Sequence, residues 1–235
     1  MDSRVRTKTK TRINSSSNLL DTMPSAVLRA FLSAAVPVTL RTREVLFHAG
    51  DAGSSCYFLR SGAAKAAVIA KDGQERLLAV LGPGALIGEL SLFDDQPRSA
   101  TVSALRPCRL MHMTKPAFFK LADENPQIYR QALKLLTHRL RGTNDSVVAQ
   151  GTVTVLGRVA RAFASLAEGI GERQPKGRIM LSQRITQTDI AGMAGVAREN
   201  ANRAISELLR NGVLGRVKGY YIIDKPDELA RMSEI

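Results

Sequence analysis

Between Val38 and His112 the chain is cut by glycines at short intervals, at positions 50, 53, 62, 73, 82, 84 and 88. The apolar runs between them are Glu44–Phe47, Cys56–Leu59, Ala64–Ala70, Arg76–Leu81, Thr101–Leu105 and Cys108–Met113. Each has the length of a strand. Short strands separated by regular turn signals predict an antiparallel sandwich or roll. Ala70-Lys-Asp-Gly73 reads as a hairpin turn, because Asp-Gly supplies the positive φ angles such turns need.

The rhythm is helical on either side. Met23 to about Phe31 reads as a short amphipathic helix, and another runs from after Thr114 to about Asp123. Pro126 then opens a long helix, where a first-turn proline is tolerated. Its apolar positions are Tyr129, Leu133, Leu136, Leu140, Thr143 and Val147, in steps of four and three. That is the rhythm of a coiled-coil seam. The flanks Arg130, Lys134, Arg139, Arg141, Asn144 and Asp145 leave a narrow apolar stripe, so a seam between two copies is preferred to packing on the chain's own domain. Thr143 is the one polar residue in the seam. It sets register or faces a ligand.

Past Thr152, Leu156–Glu168 reads as an amphipathic helix stopped by Gly169 and Gly171, with a flexible stretch over Glu172–Arg178. Thr186-Gln-Thr-Asp189 is a capping-box variant that opens a helix. Gly195 permits a turn, and a second helix follows at about Arg198–Arg210, ended by Asn211-Gly212. Val213–Lys218 and Tyr220–Ile223 complete a hairpin. Residues 189–214 therefore have helix-turn-helix form, with Ala191 small enough for close approach and Val196, Ile205 and Leu208 facing inward. Arg198, Glu199, Asn202 and Arg203 fall on the outward, N-terminal part of the second helix. That part of a recognition helix enters the major groove. Arginine can fork onto guanine O6 and N7, and glutamate can accept from the cytosine amino group. With Gln187 on the first helix they form the candidate DNA-binding set.

Charge agrees with that reading. Lys+Arg number 34 against 21 Asp+Glu, a net charge of +13, which favours an anionic partner. The N-terminus, MDSRVRTKTKTRINSSS, has no apolar core and is expected to be a disordered tail, not a secretory signal. No apolar run is long enough for a membrane span, so no membrane partner is expected and the cytoplasm is the default location. Cys56 and Cys108 match no metal or redox spacing, and His48, His112 and His138 are scattered. No metal site and no catalytic constellation is expected, which leaves an enzyme as the weakest reading.

One stretch remains. GELSLFDDQPRSATV, residues 88–102, reads as a short half-buried loop in which Leu90, Leu92 and Phe93 look like core. It also gathers a backbone-exposing glycine, a carboxylate, a guanidinium and a hydroxyl. This stretch and Val-Ala-Arg-Glu-Asn-Ala-Asn-Arg, residues 196–203, carry a resemblance to the cyclic AMP receptor protein family of bacterial transcription regulators, within the Crp/Fnr superfamily. The resemblance runs from about Met23 to Ile223.

That resemblance implies an α+β fold in which an antiparallel β-roll leads through a long dimerisation helix to a winged helix-turn-helix. The expected division is a basic tail over 1–22, a cyclic-nucleotide-binding roll over 23–125, the helix over 126–153 and the DNA-binding unit over 154–235. It implies a phosphate-binding cassette in which Arg98 pairs with the cyclic phosphate. Ser99 would donate its hydroxyl and N–H to the same group, Gly88 would let the backbone come close, and Glu89 would accept from the ribose 2′-hydroxyl. An ordinary surface pair between Glu89 and Arg98, worth ~0–1 kcal/mol, is the bland alternative. Thr143 falls where the family reads the adenine, and Asn144 where it has a serine from the other subunit. Asparagine both donates and accepts, so cyclic AMP comes first and cyclic GMP stays open. The ligand-binding set is Gly88, Glu89, Leu90, Arg98, Ser99, Thr143 and Asn144.

In the recognition helix, Arg198, Glu199 and Arg203 match the family's base-contacting residues and imply a palindromic TGTGA-like site. Ala197 departs from the family's frequent capping serine, and Asn200 and Asn202 also differ. The implied mechanism is a homodimer in which ligand re-registers the helix near Val147–Thr154 and sets the two recognition helices ~34 Å apart. RNA polymerase is the expected protein partner. The alternatives are a constitutive or redox- or haem-sensing regulator of the same fold, and a cyclic-nucleotide-binding subunit of a kinase or channel.

Overall fold

The computed structural model of the chain describes residues 25–234 apart from 71, 72 and 74, and side chains from residue 28 except those of 145–152. The basic tail expected over 1–22 lies outside the described residues. Helix α1 (Ser25–Ala34) leads into eight strands: β1 (Val36–Leu40), β2 (Val45–Phe47), β3 (Ser55–Ser61), β4 (Ala64–Ile69), β5 (Glu75–Leu81), β6 (Leu86–Ile87), β7 (Thr101–Ala104) and β8 (Cys108–Thr114). They form two four-stranded antiparallel sheets, ordered β1-β8-β3-β6 and β2-β7-β4-β5. Leu40, Leu59, Ala64, Ile87, Val102, Ala104, Cys108 and Leu110 from both sheets make one core. This is the antiparallel roll expected from the glycine-punctuated text. In the β4–β5 hairpin, Gly73 has φ +78° and donates its N–H to the Ala70 carbonyl at 2.9 Å, as the turn chemistry requires, while Lys71 and Asp72 lie outside the described residues.

Between β6 and β7 the chain forms a helix, α2 (Glu89–Asp94), where a loop is expected from the sequence. Helix α3 (Lys115–Glu124) is capped by the Thr114 hydroxyl, which accepts from the Ala117 N–H. The long helix α4 (Gln127–Thr152) follows. A second core joins these helices to the first sheet through Phe31, Phe58, Leu86, Leu92, Met113, Phe118, Ile128 and Leu135. Helix α4 carries two apolar stripes. Ile128, Ala132 and Leu135 are buried against the roll. On the other side Leu133 and Leu140 remain 61% and 60% exposed. The steps of four and three identify this exposed stripe, but the roll-facing one is hidden in the same rhythm. Val147 lies among the side chains not described.

Helix α5 (Val155–Ile170) starts at Thr154, whose hydroxyl accepts from the Gly157 N–H. It runs through Gly169 and stops only at Gly171, so Gly169 is not the stop expected from the sequence. Within the stretch expected to be flexible, Glu172 and Arg173 instead belong to β9 (Gly171–Arg173), which pairs with β10 (Ile179–Leu181), and Pro175–Gly177 make a single 3-10 turn between them. Helix α6 (Gln187–Ala194), helix α7 (Arg198–Arg210), β11 (Leu214–Val217), β12 (Tyr220–Ile223) and α8 (Pro226–Met232) complete the chain. The third sheet is ordered β11-β12-β10-β9. Thr186 and Asp189 make a reciprocal capping box at the start of α6.

Candidate functional site

The glycine that opens the 88–102 stretch is conformationally required. Gly88 has φ +78°, and a methyl group there would overlap the Arg98 guanidinium. Glu89 begins α2 and is only 3% exposed. Arg98 is 5% exposed. Its Nη1 donates to the Gly88 carbonyl at 2.7 Å, and its Nη2 donates to the Ser55 carbonyl at 2.8 Å and to Ser55 Oγ at 3.3 Å. The guanidinium carbon sits 4.3 Å from the centre of the Phe47 ring. Its Nε is buried with no hydrogen-bond partner among the described residues. Burial pulls the Arg98 pKa down, and Tyr57, Cys56, Glu89 and Asp51 oppose that shift. The site therefore concentrates positive charge where it is poorly solvated, a setting that favours an anion carrying acceptor oxygens.

Glu89 does not pair with Arg98. Its Oε1 accepts from Arg139 Nη1, and Arg139 Nη2 also donates to the Leu86 carbonyl at 2.9 Å. Arg139 lies on α4, one turn before Thr143, whose hydroxyl donates to the Arg139 carbonyl at 3.0 Å. Through Arg139, α4 thus reaches the cassette. Sequence reasoning places Arg139 among the polar flanks and misses this tie. The signal available was its i,i+4 spacing from Thr143, which puts both residues on one helix face. Ser99, Thr143 and Asn144 are exposed. Leu90, read as core, is 43% exposed because it occupies the outward side of the unforeseen helix α2, while Leu92 is buried and Phe93 half-buried.

Cys56 is buried, and its thiol is pushed up to about 12 by burial together with the nearby Glu89 carboxylate. It holds its proton at neutral pH and is a packing residue. Among the described residues no group of His, Cys, Asp or Glu could hold a metal ion. Among them, too, no helix is long and apolar enough to cross a membrane.

The C-terminal unit presents a second surface. Gly195 takes φ +61° between α6 and α7. Ile205 and Leu208 are buried and Val196 half-buried, while Arg198, Glu199, Asn202 and Arg203 are all exposed on α7. Asn200 Oδ1 accepts from Arg203 Nη2, which restrains that guanidinium. Gln187 is half-buried at the first position of α6. Beyond α7, Lys218 and Gly219 both have positive φ and turn β11 back into β12. Arg184 holds this wing by donating to the Lys218 carbonyl at 3.2 Å.

The cyclic nucleotide-binding domain family model matches residues 37–125, and that of the Crp-like helix-turn-helix domain matches residues 157–232. The chain is 32% identical over 210 residues to the CRP-like cAMP-activated global transcriptional regulator of Mycobacterium tuberculosis, covering 89% of this chain and 93% of that one. The chain belongs to the Crp/Fnr family. Among solved structures of the Crp fold, FixK2 from Bradyrhizobium japonicum superposes with a TM-score of 0.71 at 21% identity, over 84% of this chain and 96% of that one. The c-di-GMP responsive global regulator CLP of Xanthomonas campestris does so with 0.69 at 21%, over 85% and 99%. Those two likenesses are of fold. As a Crp-like transcription regulator, the chain joins a cyclic-nucleotide-binding domain to a DNA-binding helix-turn-helix.

The start of the Crp-like recognition helix is weakly capped. Ala197 occupies the N-cap with φ −63° and ψ 148°, and it has no side chain to accept an N–H of the first turn. Ala197→Ser is expected to stabilise the protein by ~1 kcal/mol, raising the thermal midpoint by ~2–4 °C in a chain of this size. Thermal unfolding followed by circular dichroism checks this, and an unchanged midpoint would contradict it.

Proposed function

We propose that the chain acts as a homodimer that binds a cyclic nucleotide, cyclic AMP first and cyclic GMP second, and then reads a palindromic TGTGA-like site. The observation that carries the ligand reading is Arg98, a nearly buried guanidinium with a buried Nε that has no partner among the described residues. It lies beside a glycine whose missing side chain keeps its space open. An anionic phosphate ester fits such a donor set. Glu89 fits the ribose hydroxyl, because a carboxylate near a phosphate is favourable only when it has a hydroxyl to accept from. Arg139 links that carboxylate to α4, and Thr143 and Asn144 on the next turn would meet the base. The division into roll (23–125), long helix (126–153) and DNA-binding unit (154–235) is part of the reading, as is the cytoplasm as its location.

The homodimer rests on the exposed Leu133 and Leu140 stripe of α4. RNA polymerase is the protein partner such a regulator would engage. A constitutive or redox- or haem-sensing regulator of the same fold, which does not use a cyclic nucleotide, is the second reading; its support is that Arg98 Nη1 and Nη2 already donate to the Gly88 and Ser55 carbonyls. Calorimetric titration with cyclic AMP and cyclic GMP side by side, followed by operator binding with and without each, separates the two. The expected result is saturable binding of cyclic AMP and tighter operator binding in its presence. Equal operator affinity in all conditions would favour the second reading.

A further inference from the structure

Strand β5 lies at the open edge of the roll's second sheet. Along an unbroken strand Leu77 and Val80 would face opposite sides of the sheet. Here the register jumps, with Ala66 opposite Ala79 but Ala67 opposite Leu77, and Leu78 is left over as a bulge. The bulge brings Leu77 and Val80 to one side. Both are buried there in a single apolar cluster with Phe163, Leu166, Ile190 and Ala191 of the DNA-binding unit.

Two further contacts frame that cluster. A methyl group on Gly82, just past β5, would overlap the Gly169 carbonyl of α5, and one on Gly169 would overlap the Val80 carbonyl. Backbone meets backbone there, at a distance only glycine allows. From the turn between β7 and β8, Arg106 Nη1 donates to the Ser182 carbonyl at 2.8 Å, at the junction between β10 and α6. While all of this is in place the reading residues of α7 stay exposed.

We propose that the edge of β5, the Gly82–Gly169 contact and Arg106 form a cradle that positions the recognition helix for DNA. They are positioning residues, since none of them lies on the reading face. The inference rests on the chain's being a sequence-reading DNA-binding regulator. The cradle holds α5 and α6 in the orientation that presents α7, and loss of any one contact lets the unit tilt.

The test compares Gly82→Ala, Gly169→Ala, the double variant, Arg106→Lys and Arg106→Ala with the parent. Operator affinity is read by fluorescence anisotropy at saturating cyclic AMP, using a duplex selected from a random pool by the parent protein. Affinity for an unrelated duplex and for cyclic AMP is measured alongside. Each glycine variant is expected to bind the operator about tenfold more weakly, within the usual range of intersite coupling. The double variant is expected to be no more than about twofold worse than either single, because both break one contact. Arg106→Lys, which keeps a donor for the carbonyl, should retain more affinity than Arg106→Ala. Binding to the unrelated duplex and to cyclic AMP should be unchanged.

Gly169→Ala is a demanding case, because alanine is the better helix former and would strengthen α5 on its own. Operator affinity equal to the parent's in the glycine variants, or additive losses in the double, would overturn the proposal. If circular dichroism shows either glycine variant misfolded, the exposed Arg106 pair decides alone, and equal affinity of Arg106→Lys, Arg106→Ala and parent overturns it. A parent whose operator affinity ignores cyclic AMP would overturn the ligand switch proposed above and leave the cradle, which is scored on operator affinity, to its own result.

Discussion

Arg98→Ala is expected to lower cyclic AMP affinity by between thirtyfold and several thousandfold, the consequence of losing ~2–5 kcal/mol from a desolvated, charge-assisted contact. The size follows from burial. At 5% exposure the guanidinium is screened far less than a surface arginine, so each hydrogen bond it makes to an anion counts for more. Its removal also strands the Gly88 and Ser55 carbonyls, which now accept from it, at a cost to stability of ~1–3 kcal/mol. The two effects separate in one experiment. Calorimetry reads the ligand, thermal unfolding reads the fold, and Arg98→Lys keeps the charge while losing the planar fork. The lysine variant should fall between parent and alanine. Cyclic AMP affinity within threefold of the parent in a folded Arg98→Ala protein would remove the phosphate-binding role.

Arg203→Ala should reduce operator affinity by ~1–3 kcal/mol, roughly five- to 150-fold, and should relax selectivity at one base pair only. Arg203 is exposed on α7, and Asn200 holds its guanidinium before any base is present. A restrained fork gives up less freedom on binding than a loose one. Loss of Arg203 is therefore predicted to be sequence-dependent, whereas loss of a phosphate contact weakens all sequences alike. Anisotropy against operators altered one base pair at a time is the measurement. A uniform loss across that panel would reassign Arg203 to the DNA backbone.

What was legible in the sequence followed from local chemistry. The glycine turns marked the strands, Thr186 and Asp189 marked the start of α6, and Gly195 marked the turn before α7, because caps and positive φ angles leave residue-type signatures. What was illegible depended on partners far away in the chain. Helix α2 is six residues long, too short for a periodic signal to show, and it is placed by Leu92 in the second core. Arg139 looks like any exposed cation until Glu89, 50 residues earlier, is brought to it. Ile128, Ala132 and Leu135 were masked by the second stripe on the same helix. Gly169 resembled a helix stop, yet it serves as a point of close approach to the roll.

In the homodimer proposed above, the two stripes of α4 would separate folding from association. An isolated zipper strand has to become helical as it finds its mate, so the entropy of ordering falls on the encounter. Here the first turns are already braced on the chain's own roll by Ile128, Ala132 and Leu135. In that proposed dimer a second copy would meet a helix whose first turns are already ordered, so parting on dilution would uncover Leu133 and Leu140 without unravelling those turns.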